Sequence, residues 1–203
     1  AVLLGAGHEP VRPAIIWADT RSQEQCARLV GSIGQEAAYE LLGHRLNPTY
    51  SITKVMWVRE NEPEVFGQVS TVCNAKDFVA HRLTGVLVTD PSDASSTNAF
   101  DQGSGQWSDR VLEAAGIDRS LMPQIVPSTT VIGTVTRAAA NETGLLEGTP
   151  VVIGGGDGPI AAAGVGIINP SDGAYAYLGS SSWISLASDR PLLDLPLMRT
   201  MTF

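Results

Sequence analysis

Cysteine is almost missing from this chain. Cys26 and Cys73 stand far apart with no C-x-x-C spacing, which excludes a thiolate zinc module and gives no sign of a disulfide framework, although one bridge stays open. Positive charge is also scarce. Against 21 Asp and Glu there are 13 Lys and Arg, a formal charge of −8, and no basic run or aromatic ladder occurs. Nucleic acid is therefore not an expected partner, because binding it needs clustered cations that displace counterions. Uninterrupted apolar runs fall far short of the roughly 18 residues of a membrane span. The opening AVLLGAGHEP has no basic leader. No membrane partner and a cytoplasmic setting are the expectations.

What is present is the patterning of a soluble α/β protein. Apolar runs at Ala1–Leu4 and Ala14–Trp17 predict two strands joined as a hairpin across Gly5-Ala6-Gly7. RSQEQCARLV predicts a helix, with Ser22 and Gln25 at the spacing of a capping box. Further helices are predicted over Gln35–Leu42, SITKVMWVREN, KDFVAHRLTG with Gly85 as its stop, SDRVLEAAG closed by Gly116, and RAAANETG. VLVTD, VIGTVT and VVIGGG read as strands, and AYAYLGSSSWISLAS as two strands around a glycine turn. Strands alternating with helices indicate an α/β architecture, and the opening hairpin favours a mixed sheet. GVGIINPSDG, Gly164–Gly173, is the best candidate domain boundary. The chain opens on an apolar run without methionine and closes on LMRTMTF, so both ends read as internal to a larger protein.

The segment VVIGGGDGPIAAAGVG, residues 151–166, raises the sharpest question. One account of Asp157 is a helix N-cap followed by Pro159 in the first turn. The other is an active-site carboxylate in a space kept clear by glycines, which are costly in entropy and mark unusual backbone angles or close approach of a ligand. From the residues alone the two stand level. The spacing is neither a dinucleotide fingerprint, since Pro159 takes the third glycine's place, nor a Walker loop, since no Gly-Lys-Ser/Thr follows. GSSSW, Gly179–Trp183, is a serine-rich turn or a phosphate-binding loop built from backbone amides and hydroxyls; it fails the G-x-S-x-G pattern of hydrolases. IIWADTR would place Trp17, Asp19 and Arg21 on one face of a strand. The bland reading there is a buried tryptophan beside an Asp–Arg pair. His8, His44 and His81 have no ligand spacing and read as surface or helix-packing residues.

In order, IIWADTRS, YSITKVMWVRENEPEVF, NAKDFVAHRLTG, TDPSDASSTNAFD, IGGGDGPIAAAGVG and AYLGSSSWISL resemble the FGGY carbohydrate kinases, most nearly their xylulokinase-like members, over nearly the whole chain. The resemblance implies an actin-like, ribonuclease-H-like α/β fold, present here incompletely. Residues 1–163 would form the later part of the N-terminal kinase domain and 164–203 the beginning of the C-terminal one. It implies an enzyme that uses ATP and Mg2+ to phosphorylate a hydroxyl of a ketose, D-xylulose foremost. A kinase for ribulose, glycerol or gluconate, or a non-catalytic sugar-binding relative, stands as the alternative, and a homodimer is carried as a candidate assembly.

Residue by residue, the resemblance implies that Asp157 is the catalytic base and meets the metal through water. Trp17, Thr49, Tyr50, Asp157 and Trp183 would face the sugar. Gly155, Gly156, Gly179, Ser180 and Ser181 would face the nucleotide, with the glycines making room for sugar and γ-phosphate. Asp19 and Arg21 would shape the site. The family's D-x-G-T phosphate hairpin does not occur in these residues, so this piece alone is expected not to phosphorylate sugar.

Overall fold

The computed structural model describes residues 1–179 and 182–203. Strand β1, Val2–Leu4, is fully buried and pairs antiparallel with β2, Thr71–Cys73. The expected partner, Ala14–Trp17, does fold back alongside β1: Val11 N–H donates to Leu3 and Ile15 N–H to Ala1. It forms no strand, because Pro10 and Pro13 lack the amide hydrogens a regular ladder would use. The two faces of β1 serve different layers, as a period-2 strand must. Leu3 joins the main core, while Val2 and Leu4 meet Cys73, Phe78 and Leu87 on the other side.

That main core is helical. Helices α1 (Gln23–Ile33), α2 (Gln35–Leu42) and α3 (Ser51–Asn61) bury Leu29, Ile33, Leu42, Ile52, Val55 and Val58. A short α4, Pro63–Phe66, precedes β2, and α7, Asp109–Ala115, adds Val111 and Leu112. Each such aliphatic side chain contributes about 1.5–3 kcal/mol through burial. Both cysteines are buried and free. The capping box expected at Ser22 is not made. Ser22 Oγ instead lies 2.9 Å from Thr53 Oγ1 and donates to Pro48 O, joining α1 to α3, while Gln25 Nε2 donates to Glu60. A capping box does form on α5, Ala75–Thr84, between Asn74 and Asp77, and Gly85 closes that helix in the left-handed region.

The second half carries shorter elements: β3 (Val88–Thr89), α6 (Pro91–Ser95), the hairpin β4 (Phe100–Asp101) and β5 (Gln106–Trp107), β6 (Gln124–Ile125) and β7 (Val131–Thr134). After α8, Arg137–Thr143, come β8 (Pro150–Val152), α9 (Asp157–Gly164), and the hairpin β9 (Ala174–Leu178) with β10 (Ser182–Leu186). Among the described residues the strands form five two-stranded sheets; β3 with β6 is parallel and the rest are antiparallel. No sheet among the described residues is itself mixed, so the mixed sheet expected from the opening hairpin is not seen: β1 pairs with β2, and parallel and antiparallel pairs stay separate. Among the described residues no helix is long and apolar enough to cross a membrane.

Candidate functional site

The glycine segment begins from a firm anchor. Ile153, directly after β8, is buried with Ala80 of α5 and Val88 of β3. Gly154 then takes φ +70, a conformation open to glycine, and its N–H donates to Ser128 O at 3.0 Å. At Gly155 a Cβ would lie 2.8 Å from Ser92 Oγ and 3.2 Å from the Ile160 side chain. Protein fills that space, so ligand room is not the reason for this glycine. Gly156 is different: a Cβ there would meet nothing nearer than 3.8 Å, and its N–H donates to Ser92 Oγ at 2.9 Å. Gly158 has nothing within 4 Å.

Asp157 is exposed and is the first residue of α9, whose N-cap is Gly156. The N-cap account of Asp157 is thereby corrected. An N-cap needs an extended backbone, and it is Gly156 that has one, at φ −60 and ψ 154. The Asp157 carboxylate accepts a bond from the adjacent Gly158 N–H at 2.9 Å. Its remaining lone pairs face solvent.

Beneath this loop lies a buried polar cluster that the sequence motifs did not single out. Asp90, fully buried, accepts from the Ser92 hydroxyl at 2.5 Å, from Ser128 Oγ at 2.8 Å, and from the amides of Ser92 and Asp93. Lys76 Nζ stands 3.1 Å from Asp90, 2.9 Å from Asp77 and 3.7 Å from Asp93. Burial works against the Asp90 charge, but hydrogen bonds from Ser92, Ser128 and Lys76 outweigh it and hold this carboxyl below the usual range. Asp77 and Asp93 go the other way. Burial raises both, and with Asp77 and Asp90 nearby Asp93 reaches about 6. One ammonium among three carboxylates cannot neutralise all of them. The readable signal was TDPSD, an N-cap Asp followed by Pro in the first turn, which is how Asp90 begins α6.

A polar chain leads from this cluster to the loop before α3. Asn74 donates to Asp93 and accepts from Ser51 Oγ at 3.1 Å, and Ser51 follows Tyr50, the N-cap of α3. Thr49 and Tyr50 are partly buried. Lys54, itself buried, donates to Pro48 O and Thr49 O at 2.7 and 2.5 Å and so fixes this loop; burial lowers its pKa to about 8. The Tyr50 hydroxyl lies 3.1 Å from His44 Nδ1. His44 is fully buried, bonds Ser95 Oγ through Nε2 at 2.8 Å, and packs edge-on against Phe203. Burial lowers its pKa to about 4. It is a packing histidine.

The remaining predicted positions are dispersed. Trp17 is 77% exposed and lies outside any strand, which corrects both the buried-tryptophan account and the shared strand face. Asp19 and Arg21 pair with each other at 2.7 Å, and the Arg21 guanidinium lies 4.8 Å over the Trp57 ring. Trp183 stacks on Tyr177, its cross-strand partner, at 4.0 Å, and donates to Tyr175 Oη. The Tyr177 ring crowds Gly179, where a Cβ would lie 2.7 Å away. Ser180 and Ser181 lie outside the described residues. Among those described, no group of three or more His, Cys, Asp or Glu is arranged to hold a metal ion.

Comparison with known proteins bears on this arrangement. The profile of the FGGY family of carbohydrate kinases, N-terminal domain, matches residues 1–164. The chain is 35% identical over 184 residues to the xylulose kinase of Lactococcus lactis, covering 91% of this chain and 36% of that protein. It is 30% identical over 192 residues to the autoinducer-2 kinase of an Enterobacter species, covering 91% of the chain and 34% of the relative. The crystal structure of gluconate kinase from Lactobacillus acidophilus superposes with a TM-score of 0.87 at 26% identity, over 95% of this chain and 39% of that one. The chain thus spans about a third of the length of the curated relatives it matches.

Proposed function

Since the chain belongs to the FGGY family of carbohydrate kinases and has their actin-like α/β fold, we propose that it is the part of an ATP-dependent sugar kinase that supplies the catalytic base, Asp157. The observation that carries this reading is the position of that carboxylate. It stands exposed at the head of α9, on a loop clamped from below, with lone pairs free to receive a proton. Asp157 would accept the proton of the sugar hydroxyl as its oxygen bonds to the terminal phosphorus and the bond to the ADP leaving group breaks. Such transfer depends mainly on positioning and charge stabilisation. The exposed Asp157 carboxylate, with lone pairs to spare, would meet Mg2+ carried on the nucleotide phosphates through water. Gly156 and Gly179–Ser181 are assigned to the nucleotide side.

The substrate we assign is a ketose, D-xylulose, converted to D-xylulose 5-phosphate. Support comes from identity to the xylulose kinase of L. lactis, while the autoinducer-2 kinase and gluconate kinase relatives define the competing substrates. Within this reading, residues 1–163 close the first kinase domain and 164–203 open the second. The test is the full-length kinase assayed for sugar-dependent ADP release with D-xylulose, D-ribulose, glycerol, gluconate and autoinducer-2. D-Xylulose should give the highest kcat/KM. Asp157→Asn should lower kcat about 100- to 10,000-fold with sugar binding retained by calorimetry. Preference for another substrate would overturn the ketose assignment, and undiminished turnover in the variant would overturn the base.

A further inference from the structure

Among the described residues α9 buries no side chain, so this part of the protein gives its first residue, Asp157, little hold through helix packing. The three residues before it are glycines and offer no side chains to a core. Yet general-base catalysis needs the carboxylate within hydrogen-bond reach of the proton it removes. In this part of the protein the hold on Asp157 comes from the loop before it.

We propose that Ser92, backed by Asp90, is the positioning residue for Asp157. The proposal rests on the reading of Asp157 as the base. Two backbone amides of the loop are anchored, and one of these anchors leads through a hydroxyl to a buried carboxylate. Gly156 N–H donates to Ser92 Oγ at 2.9 Å, and Gly154 N–H donates to the backbone oxygen of Ser128 at 3.0 Å. The hydroxyls of Ser92 and Ser128 both donate to Asp90 Oδ2, at 2.5 and 2.8 Å. The directions are forced. An ionised carboxylate only accepts, so the Ser92 proton points to Asp90 and a lone pair is left for the Gly156 amide. A bond to a charged acceptor is short and strong, and it polarises the next bond in the chain.

Asp90 is itself immobile. It is fully buried, it caps α6 through the amides of Ser92 and Asp93, and Lys76 holds its other oxygen. Ser92 is 8% exposed. Gly155 completes the fit, because any side chain there would force the loop away from Ser92. A rigid acid below thus sets, through one hydroxyl and one amide, the height of the glycine turn from which Asp157 emerges. Ser92 touches the loop directly. The Ser128 hydroxyl touches only the hub, since Gly154 is held by the Ser128 main chain.

The test is steady-state kinetics of the full-length kinase with Ser92→Ala, Ser128→Ala and Asp157→Asn, each checked for cooperative thermal unfolding. Ser92→Ala should lower kcat about 10- to 100-fold, the scale of an ångström-sized misplacement, with KM for sugar and nucleotide within about threefold. A residue that only stabilises the fold would not produce that split in a folded variant. Ser128→Ala should lower kcat by less than Ser92→Ala. Turnover of Ser92→Ala within about twofold of the parent, while Asp157→Asn loses at least about 100-fold, would overturn the positioning role and leave the base standing. A loss confined to KM, or equal losses in the two serine variants, would also overturn it. Undiminished turnover in Asp157→Asn would remove the base, and the inference with it.

Discussion

Gly155→Ala is the substitution whose cost follows most directly from the packing. The added Cβ would lie 2.8 Å from Ser92 Oγ and 3.2 Å from two carbons of Ile160. The first contact is shorter than any relaxed one. Ser92 cannot turn aside, because its hydroxyl donates to Asp90 and accepts from Gly156. Three effects compete. Overpacking costs about 1–3 kcal/mol, and loss of the Ser92–Gly156 bond costs about 1 kcal/mol more. Against these, Gly155 lies outside the left-handed region, so alanine restricts the unfolded chain and returns about 0.4–1 kcal/mol. Crowding wins, for a net loss of about 1–3 kcal/mol. Gly158→Ala is the matched control. It lies in the first turn of the same helix with nothing within 4 Å, so only the helix preference of alanine operates, a gain of up to about 1 kcal/mol. Urea unfolding of both variants beside the parent measures the difference. A Gly155→Ala protein as stable as Gly158→Ala would refute the argument that Ser92 occupies the space of the missing side chain.

His44 titrates at about 4 instead of 6.5, so the unfolded chain binds the extra proton first and His44-dependent stability, full above pH 6.5, is lost as pH falls through 4. The stability difference between the parent and His44→Gln should therefore shrink on acidification, by roughly 3 kcal/mol when complete; a pH-independent difference would contradict it. Asp93, raised to about 6, has the opposite sign: its contribution is present below about 3.8 and lost as pH rises through 6, so Asp93→Asn should gain on the parent over that interval in the same titration. Ser22→Ala should cost about 1 kcal/mol by removing the buried Ser22–Thr53 bond, with Thr53 keeping only its 3.3 Å bond to Tyr50 O. In double-mutant cycles it should couple to Thr53→Val and not to Gln25→Ala, whereas coupling to Gln25 would restore the capping box.

Much of the architecture is visible in local chemistry. The helix stops read at Gly85 and Gly116 are left-handed caps in the structure, and Gln35–Leu42 and Ser51–Asn61 form helices with the expected ends. Each depends on residues within a turn or two of one another. Ser22 shows where that reasoning stops. Its spacing to Gln25 satisfies a local rule, but a hydroxyl on α3 offers a better partner, and nothing near Ser22 in sequence reports it. The Ala14–Trp17 run shows the same limit from the other side, since β1 takes a strand nearly seventy residues away in place of a neighbour broken by prolines.

At the candidate site the division is similar. GGGDG, by composition and order, singled out Asp157 and required a backbone of unusual conformation there, because glycine is needed wherever φ turns positive or another group comes too close for a Cβ. Which glycine serves which purpose was decided by tertiary structure. Gly154 takes the left-handed turn, Gly155 yields its space to Ser92, and Gly156 gives its amide to the same residue and caps the helix. The acids and lysine below the loop come from two separate stretches of chain, and only folding brings their charges within 4 Å. A motif can name a candidate carboxylate, since its neighbours in sequence travel with it. The groups packed beneath its loop are distant in sequence, and their meeting is a property of the fold.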